Sequence, residues 1–387
     1  MKTIFCAVHG YTQWEAPLLQ IINTPEFQRM KRIKQLAAVH HVFPCAAHTR
    51  FEHSIGVGFL AECFAKSLMD RQPALQINIL ALKLAGLCHD IGHGPLSHAY
   101  DRFLAARDNE LELTRHEERS TMLLRQIVST YGIDLGPRAV DIACELIDPV
   151  RHDLPLYMYQ IIANDVDGID VDKLDYLCRD SQNTGMRYRV DIHRFFQYSR
   201  VLHDRLCYSG KSMPYEINNL FTVRHQMHAQ VYQHPVVRAF EHMYIDVMHL
   251  LGSSICLDGV VHKLIGLTDF IFTSEFCELC VHRGQLGAED ATKVQALLMR
   301  ISCRDIYKAI HQVSIPTRAC IREERLSHYI LDVVDIGYAK NPLFDVHFYD
   351  ENGRGRLESH RFHSFAMHPR DTILRIYDKS ARTESAD

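Results

Sequence analysis

A chain of 387 residues with 47% apolar and 23% charged side chains carries enough apolar material for a large folded core, which excludes wholesale disorder. Its 43 Lys and Arg against 47 Asp and Glu give a net charge of −4, so no basic excess marks a nucleic-acid binder and any phosphate site must be a local pocket. The 25 histidines stand out, because imidazole suits metal ligation and proton transfer near neutral pH.

In chain order, the N-terminal apolar run from Ile4 to Val8 is too short for a signal-peptide core. No later stretch approaches the ~20 apolar residues of a membrane span. The 12 cysteines are scattered through a large chain, unlike a secreted disulfide scaffold. These features predict a reduced intracellular protein, cytoplasmic or, in a eukaryote, nuclear, with no membrane partner.

From Thr24 to about His311 the apolar residues recur at three and four, as in Ile55, Phe59, Leu60, Cys63 and Phe64, which predicts helices. Arg50-Phe-Glu-His53 opens a predicted helix over 54–68, whose Gly56 and Gly58 read as close packing. The apolar helix over 80–88 ends in His89-Asp90 and then Ile91-Gly-His-Gly-Pro-Leu-Ser-His98. Here His89 and His93 are four apart and share a helix face until Gly94-Pro95 breaks it. His-Asp also occurs at 152–153 and 203–204, without a histidine cluster, and reads there as surface.

An acidic run follows at Asp165, Asp167, Asp170, Asp172, Asp175 and Asp180. An EF-hand fails, because its sixth position would be Asp170 and its twelfth Tyr176. His53, His89, Asp90 and one distant carboxylate would instead make a mixed nitrogen and oxygen site for Fe, Mn, Zn or Mg. Spacing alone leaves ordinary solvated helix caps as the alternative. Asp172, Tyr176 and Asp180 fall on one helix face beside Lys173, and Arg224, His228 and Tyr232 repeat that spacing. The two rows suit a phosphorylated, ring-bearing ligand, or equally two amphipathic helices with salt-bridged outer faces. No P-loop sequence is present. Cys277-x-x-Cys280-x-His282 reads as buried helical thiols or a zinc fragment.

After Pro316 the texture changes to short β-branched and aromatic runs at 329–336, 344–349 and 372–377, separated by turns such as Asn352-Gly353. The expected fold class is mainly α: a helical lobe over 1–315 and a small C-terminal α+β lobe over 316–387, with 381–387 as a frayed tail.

Several strings together resemble the HD-domain phosphohydrolase superfamily. The closer resemblance is to the SAM-and-HD-domain deoxynucleoside triphosphate triphosphohydrolases, here without a SAM module. They are Ile21-Ile-Asn-Thr-Pro-Glu-Phe-Gln-Arg, Ile33-Lys-Gln-Leu, His48-Thr-Arg-Phe-Glu-His-Ser-Ile-Gly-Val-Gly and Leu84-Ala-Gly-Leu-Cys-His-Asp-Ile-Gly-His-Gly-Pro-Leu-Ser-His. Further on come Gly168-Ile-Asp-Val-Asp-Lys-Leu-Asp-Tyr, Tyr232-Gln-His and Val333-Val-Asp-Ile-Gly-Tyr-Ala-Lys-Asn-Pro.

That resemblance implies a divalent metal on His53, His89, Asp90 and Asp172, with Arg50 and His93 on the α-phosphate. It makes His98 the general acid, oriented by Asp101, with His116 and Glu117 completing a proton relay. Lys173, Arg224 and Tyr176 would hold the triphosphate with His228 nearby. Gln35 and Asp180 would read the 3′-hydroxyl, while Leu36 and Tyr232 wall off the 2′ position. The implied reaction converts a dNTP to deoxynucleoside and triphosphate, with loose base selection. The positions of the animal enzymes' allosteric guanine pocket fall on Phe5, Asn23, Lys31 and Pro235, a poor match that argues against GTP activation. Gln28, Arg194, Arg304 and Lys308 remain as candidates for a regulatory nucleotide at a subunit interface of a dimer or tetramer. Two other functions share these residues: an HD-type phosphodiesterase or nucleotidase on another phosphorylated nucleotide, and a nucleotide- or nucleic-acid-binding regulator with a vestigial centre.

Overall fold

The computed structural model describes residues 1–107, 113–315, 322–337, 342–353 and 371–380. An antiparallel hairpin of β1 (Lys2–Cys6) and β2 (Gly10–Trp14) opens the chain, followed by α1 (Ala16–Ile22) and α2 (Pro25–Gln28). The central pair is α3 (Arg50–Arg71) and α4 (Ile79–Cys88), and around it lie α5 (His98–Ala105), α6 (His116–Tyr131), α7 (Ala139–Ile147), α8 (Leu156–Ile162), α9 (Val171–Thr184) and α10 (Ile192–Gln197). A second hairpin, β3 (Ser199–Leu202) and β4 (Arg205–Ser209), leads into α11 (Pro214–Met227), α12 (Pro235–Leu251), α13 (Ser274–His282) and α14 (Ala288–Ser302). The chain then forms β5 (Lys308–Ile315), β6 (Glu324–Arg325), β7 (Tyr329–Ile336), β8 (Phe348–Tyr349) and β9 (Asp371–Asp378).

The mainly helical class with small sheets toward the C-terminus matches the expectation, and three details differ. Both hairpins sit where no strand was expected, because strands of four or five residues leave too short an alternation to read. The C-terminal sheet, ordered β5-β9-β7-β6, begins at Lys308, ahead of Pro316; we propose the division between lobes just before Lys308 rather than at 315/316. The expected strand over 344–349 shrinks to β8, which pairs in parallel with β4 in the helical lobe, seating the buried Phe348 there. Residues 381–387 lie outside the described residues.

Close approach at α3 fixes the rest. A Cβ on Gly58 would fall 2.9 Å from the buried Trp14 ring. One on Gly56 would fall 1.9 Å from Asp175 Oδ1, so α9 lies as near α3 as a missing side chain permits. At the start of α3 the Glu52 carboxylate accepts from the Thr49 backbone N–H, satisfying an amide at the helix entrance. Cys277 and Cys280 are buried in α13, with the Cys277 thiol 3.7 Å from Ala291 O of α14, so they are packing thiols.

Candidate functional site

Because α4 stops at Cys88, His89 and His93 do not share a helix face as the spacing suggests; His89 caps the helix and the chain turns away. The turn is held by buried arginines that satisfy its carbonyls. Arg29 donates to Ile91 O and His93 O at 2.6 and 2.7 Å, and Arg119 donates to Gly92 O at 2.7 Å. Burial, together with Arg119, lowers the Arg29 pKa to about 9. A Cβ on Gly92 would strike His116 O at 2.3 Å, so glycine lets this turn lie against α6. Leu96 and Ser97 then take positive φ values of 54° and 56°, a strained pair that aims α5 and His98 at the cleft. Ser97 Oγ accepts from Arg50 Nε at 2.9 Å and donates to Lys34 O at 3.0 Å, and these bonds hold the strain in place.

Two imidazoles and two carboxylates converge from α3, the end of α4 and α9. His53 Nε2 lies 3.0 Å from Asp172 Oδ1 and 3.4 Å from Asp90 Oδ2. His89 Nε2 lies 3.4 Å from Asp90 Oδ1 and 3.7 Å from Asp172 Oδ1. That nitrogen is buried and makes no hydrogen bond among the described residues, while His89 Nδ1 is fixed on Gly86 O at 2.8 Å. Burial opposes charge on His53, yet its bonds to Asp172 and Asp175 raise its pKa to about 10. The same imidazoles hold the Asp172 carboxyl well below its usual range despite burial. An unpartnered Nε2 facing two carboxylates is a donor set that fits a divalent cation, with no thiolate to favour structural zinc.

Beside this quartet lies a second cluster. His93 is fully buried, stacks on His116 at 3.9 Å between ring centroids, and lies 3.9 Å from Asp101 Oδ2. His116 Nδ1 and His98 Nδ1 stand 3.2 and 3.6 Å from the same oxygen. Arg119 donates to the other oxygen of Asp101. Burial and the Arg50 guanidinium hold His93 neutral, well below the ordinary histidine pKa.

Both clusters border a cleft of about 380 Å³. Of the expected residues, His89, Asp90 and Asp172 line it on the metal side, Arg50, His98 and His116 at one flank. Gln35, Leu36, Tyr176, Asp180, Arg224, His228 and Tyr232 line the remainder. His53, His93 and Asp101 do not line it, but each lies within 4 Å of a residue that does. Lys173 and Glu117 open instead on a smaller neighbouring cavity of about 170 Å³, which shares His89, His116 and Asp172 with the cleft. The Lys173 ammonium is held on Asp170 Oδ2 at 2.7 Å.

The row Asp172, Tyr176, Asp180 lies on α9, capped by the Asp170 side chain. The row Arg224, His228, Tyr232 does not continue one α-helix, because residues His228–Tyr232 form a π-helical turn. This turn delivers the Tyr232 hydroxyl to Asp180 Oδ2 at 2.6 Å, while His48 Nε2 holds Asp180 Oδ1 at 2.7 Å. Gln35 Oε1 is buried without a hydrogen bond, an acceptor left for a ligand. Burial and Arg224 lower the His228 pKa to about 3, and burial raises the Tyr176 hydroxyl to about 12, so both stay neutral.

Gln28, Arg194, Arg304 and Lys308 are not bonded to one another among the described residues. Gln28 donates to Ile22 O, Arg194 to Ser212 O and Arg304 to His41 O, while Lys308 pairs with Asp378 in the sheet. Sequence reasoning missed Asp175, His48, Ser97 and Arg119. The signals were the Asp175/Arg179 spacing of four and, for His48 and Ser97, their place inside the strings already quoted; Arg119 had none.

The HD-domain family profile matches residues 50–180, the span that contains the quartet. A mouse protein named deoxynucleoside triphosphate triphosphohydrolase SAMHD1 (Mus musculus) is 30% identical, with all of this chain and 70% of its own length aligned. The zebrafish protein of the same name (Danio rerio) is 28% identical, covering all of this chain and 72% of its length. A putative HD domain-containing protein, L394, of Acanthamoeba polyphaga mimivirus is 29% identical over 90% of this chain and 85% of its own.

Proposed function

The chain belongs to the family of the SAMHD1 deoxynucleoside triphosphate triphosphohydrolases, and from that membership we propose that it is a metal-dependent hydrolase converting dNTPs to deoxynucleoside and triphosphate. The observation that carries this reading is the His89 Nε2 without a hydrogen bond, facing Asp90 and Asp172 at the wall of a cleft that also holds Arg224 and Tyr232.

His53, His89, Asp90 and Asp172 would hold the cation. When bound, a divalent ion supplies a Lewis acid for an α-phosphate oxygen and an acidified water. Asp175 fixes the His53 ring by accepting from Nδ1 at 2.8 Å, which leaves Nε2 for the ion. Arg50 lies at the α-phosphate position, and its bonds to Asp90 and Ser97 orient the ligand carboxylate as well. His93, for which the resemblance implies an α-phosphate contact, stacks on His116 and lies 3.3 Å from Asp90 Oδ1 through Nε2.

Hydrolysis forms a bond from water oxygen to the α-phosphorus and breaks the bond to the 5′ oxygen. His98, at the exposed end of α5, donates the proton that this oxygen leaves with. Asp101 and His116 hold His98 in line, and Glu117 connects His116 to the smaller cavity. Arg224 and the protonated Tyr176 hold the phosphate tail, which extends toward Lys173. The neutral His228 adds a hydrogen bond without a second charge. Gln35 and Asp180 take the 3′-hydroxyl, while Leu36 and Tyr232 close the 2′ side against a ribose.

We propose self-association as a dimer or tetramer, with Gln28, Arg194, Arg304 and Lys308 as the candidate contacts for a regulatory nucleotide. No described helix is long and apolar enough to cross a membrane. The test of the reaction is product analysis by ³¹P NMR with each dNTP and Mn²⁺: intact tripolyphosphate is expected, and pyrophosphate or single phosphate in its place overturns the assignment.

A further inference from the structure

The quartet lies on α3, on the turn after α4 and on α9, yet one support of it comes from the N-terminal end of the sequence. His9 sits in the turn between β1 and β2, outside the matched HD segment. Its side chain is 6% exposed, and Nε2 lies 2.5 Å from Asp175 Oδ1. Asp175 is itself fully buried, and each of its oxygens has two donors. Oδ1 receives His9 Nε2 and Arg179 Nη2, and Oδ2 receives His53 Nδ1 and Arg179 Nε, the last three at 2.8 Å. The hairpin makes a second bond to the same group, since Arg179 Nη2 reaches Cys6 Sγ at 3.3 Å.

We propose that the N-terminal hairpin is an outer part of the metal centre, with His9 as a positioning residue that sets the affinity for the ion through Asp175 and His53. A buried carboxylate adopts the rotation its donors dictate, and the Asp175 carboxylate in turn dictates the plane of the His53 ring. Arg179 alone would grip both oxygens side-on and permit Asp175 to slide along the guanidinium edge. His9 approaches Oδ1 from the hairpin and removes that freedom. Gly56 leaves no slack on the opposite side, so a shift of Asp175 is transmitted to α3 rather than absorbed.

The bland account of His9 is packing, since its ring lies 6.0 Å from that of Phe59 on α3. The two accounts part on a substitution that preserves the donor and discards the ring. In His9→Gln the amide nitrogen stands where Nε2 did, whereas His9→Ala keeps neither donor nor ring.

The experiment is calorimetric titration of the metal-stripped full chain with Mn²⁺ alone, no nucleotide present, with thermal melting of the same metal-free samples. His9→Ala is expected to weaken Mn²⁺ binding several-fold, less than the roughly 10–100-fold expected for removing the direct partner in Asp175→Asn. His9→Gln is expected to stay within about two-fold of wild type. Equal Mn²⁺ affinity in wild type and His9→Ala overturns the proposal. So does an equal loss in His9→Ala and His9→Gln, which returns His9 to packing, and so does a His9→Ala loss accompanied by metal-free unfolding at the titration temperature while His9→Gln stays folded and equally weak. The inference rests on the metal reading above, and the two fail differently: absence of Mn²⁺ binding in wild type removes the metal site itself, whereas binding that ignores His9 removes only the hairpin's part.

Discussion

The two histidine–aspartate clusters of the cleft are made of the same side chains and sit side by side, but their carboxylates are balanced differently. In the quartet, Asp90 and Asp172 both face the unbonded His89 Nε2, and the nearest fixed cation, Arg50, reaches Asp90 alone. In the other cluster, the buried Arg119 pairs with Oδ1 of Asp101 while His93, His98 and His116 gather at Oδ2, a second group whose spacing could hold an ion. Burial alone would neutralise a carboxyl; His116, His98 and Arg119 instead keep Asp101 far below its usual pKa. A third carboxylate shows what happens with neither partner. Asp167 is buried, its Oδ2 makes no hydrogen bond among the described residues, and burial raises its pKa to about 7, so its ionisation is held back to neutral pH. The guanidinium beside Asp101 and the raised pKa of Asp167 are two answers to one electrostatic problem; on the proposed reading, a cation at the quartet would be a third.

The comparison breaks most sharply at Asp172. Asp172→Ala is expected to abolish turnover and to remove the bound ion, read as metal per chain by plasma emission; wild-type metal content would refute the quartet. Next, Asp101→Asn is expected to cost about 10²–10⁴ in kcat through loss of oriented acid catalysis while the metal content stays at the wild-type level. Loss of metal in that variant would make the second cluster a metal site too.

Asp167 tests the third case through pH. Its folded pKa lies above the unfolded value, so its contribution favours folding at low pH and is lost as pH rises from about 4 to about 7. Asp167→Asn, permanently neutral, should therefore melt higher than wild type by a margin that grows from pH 5 to pH 8, by about 3 kcal/mol. A margin independent of pH would show that the carboxyl is ionised in the fold. The smallest effect belongs to Asp180, balanced by the neutral donor Tyr232 and by His48. Tyr232→Phe removes one bond to a charged acceptor, about 2 kcal/mol or 30-fold in kcat/KM for a dNTP, with a narrower preference over the matching NTP. An unchanged ratio would release Tyr232 from that role.

Much of this was legible because the ligands sit at helix ends whose signals are local. The helices were read close to their true bounds, although α3 starts at Arg50, at its Thr49 and Glu52 cap, rather than at 54, and α4 stops at Cys88, ahead of the expected break at Gly94-Pro95. Periodicity placed Asp172, Tyr176 and Asp180 correctly on one face. It brought Arg224, His228 and Tyr232 to the same cleft but missed the change of winding, since nothing in a spacing of four distinguishes an α from a π turn. His9 and Arg119 were invisible for another reason. Each acts on a carboxylate distant in sequence, and pairing of that kind exists only after the chain has closed on itself. Lys173 was rightly placed on its helix, but the sequence could not tell that Asp170 would turn its ammonium toward a separate cavity.

The π turn at His228–Tyr232 closes α11, adding one surplus residue to its last turn before the chain leaves for α12 at Pro235. Deleting a single residue there, such as Ala229, would restore plain winding and swing everything downstream by about 100°. Arg224 would stay put while Tyr232 left Asp180, uncoupling the grip on phosphate from the reading of the sugar. A shortened chain of that kind should still recognise the charged tail of its ligand and lose its sense of which pentose is attached.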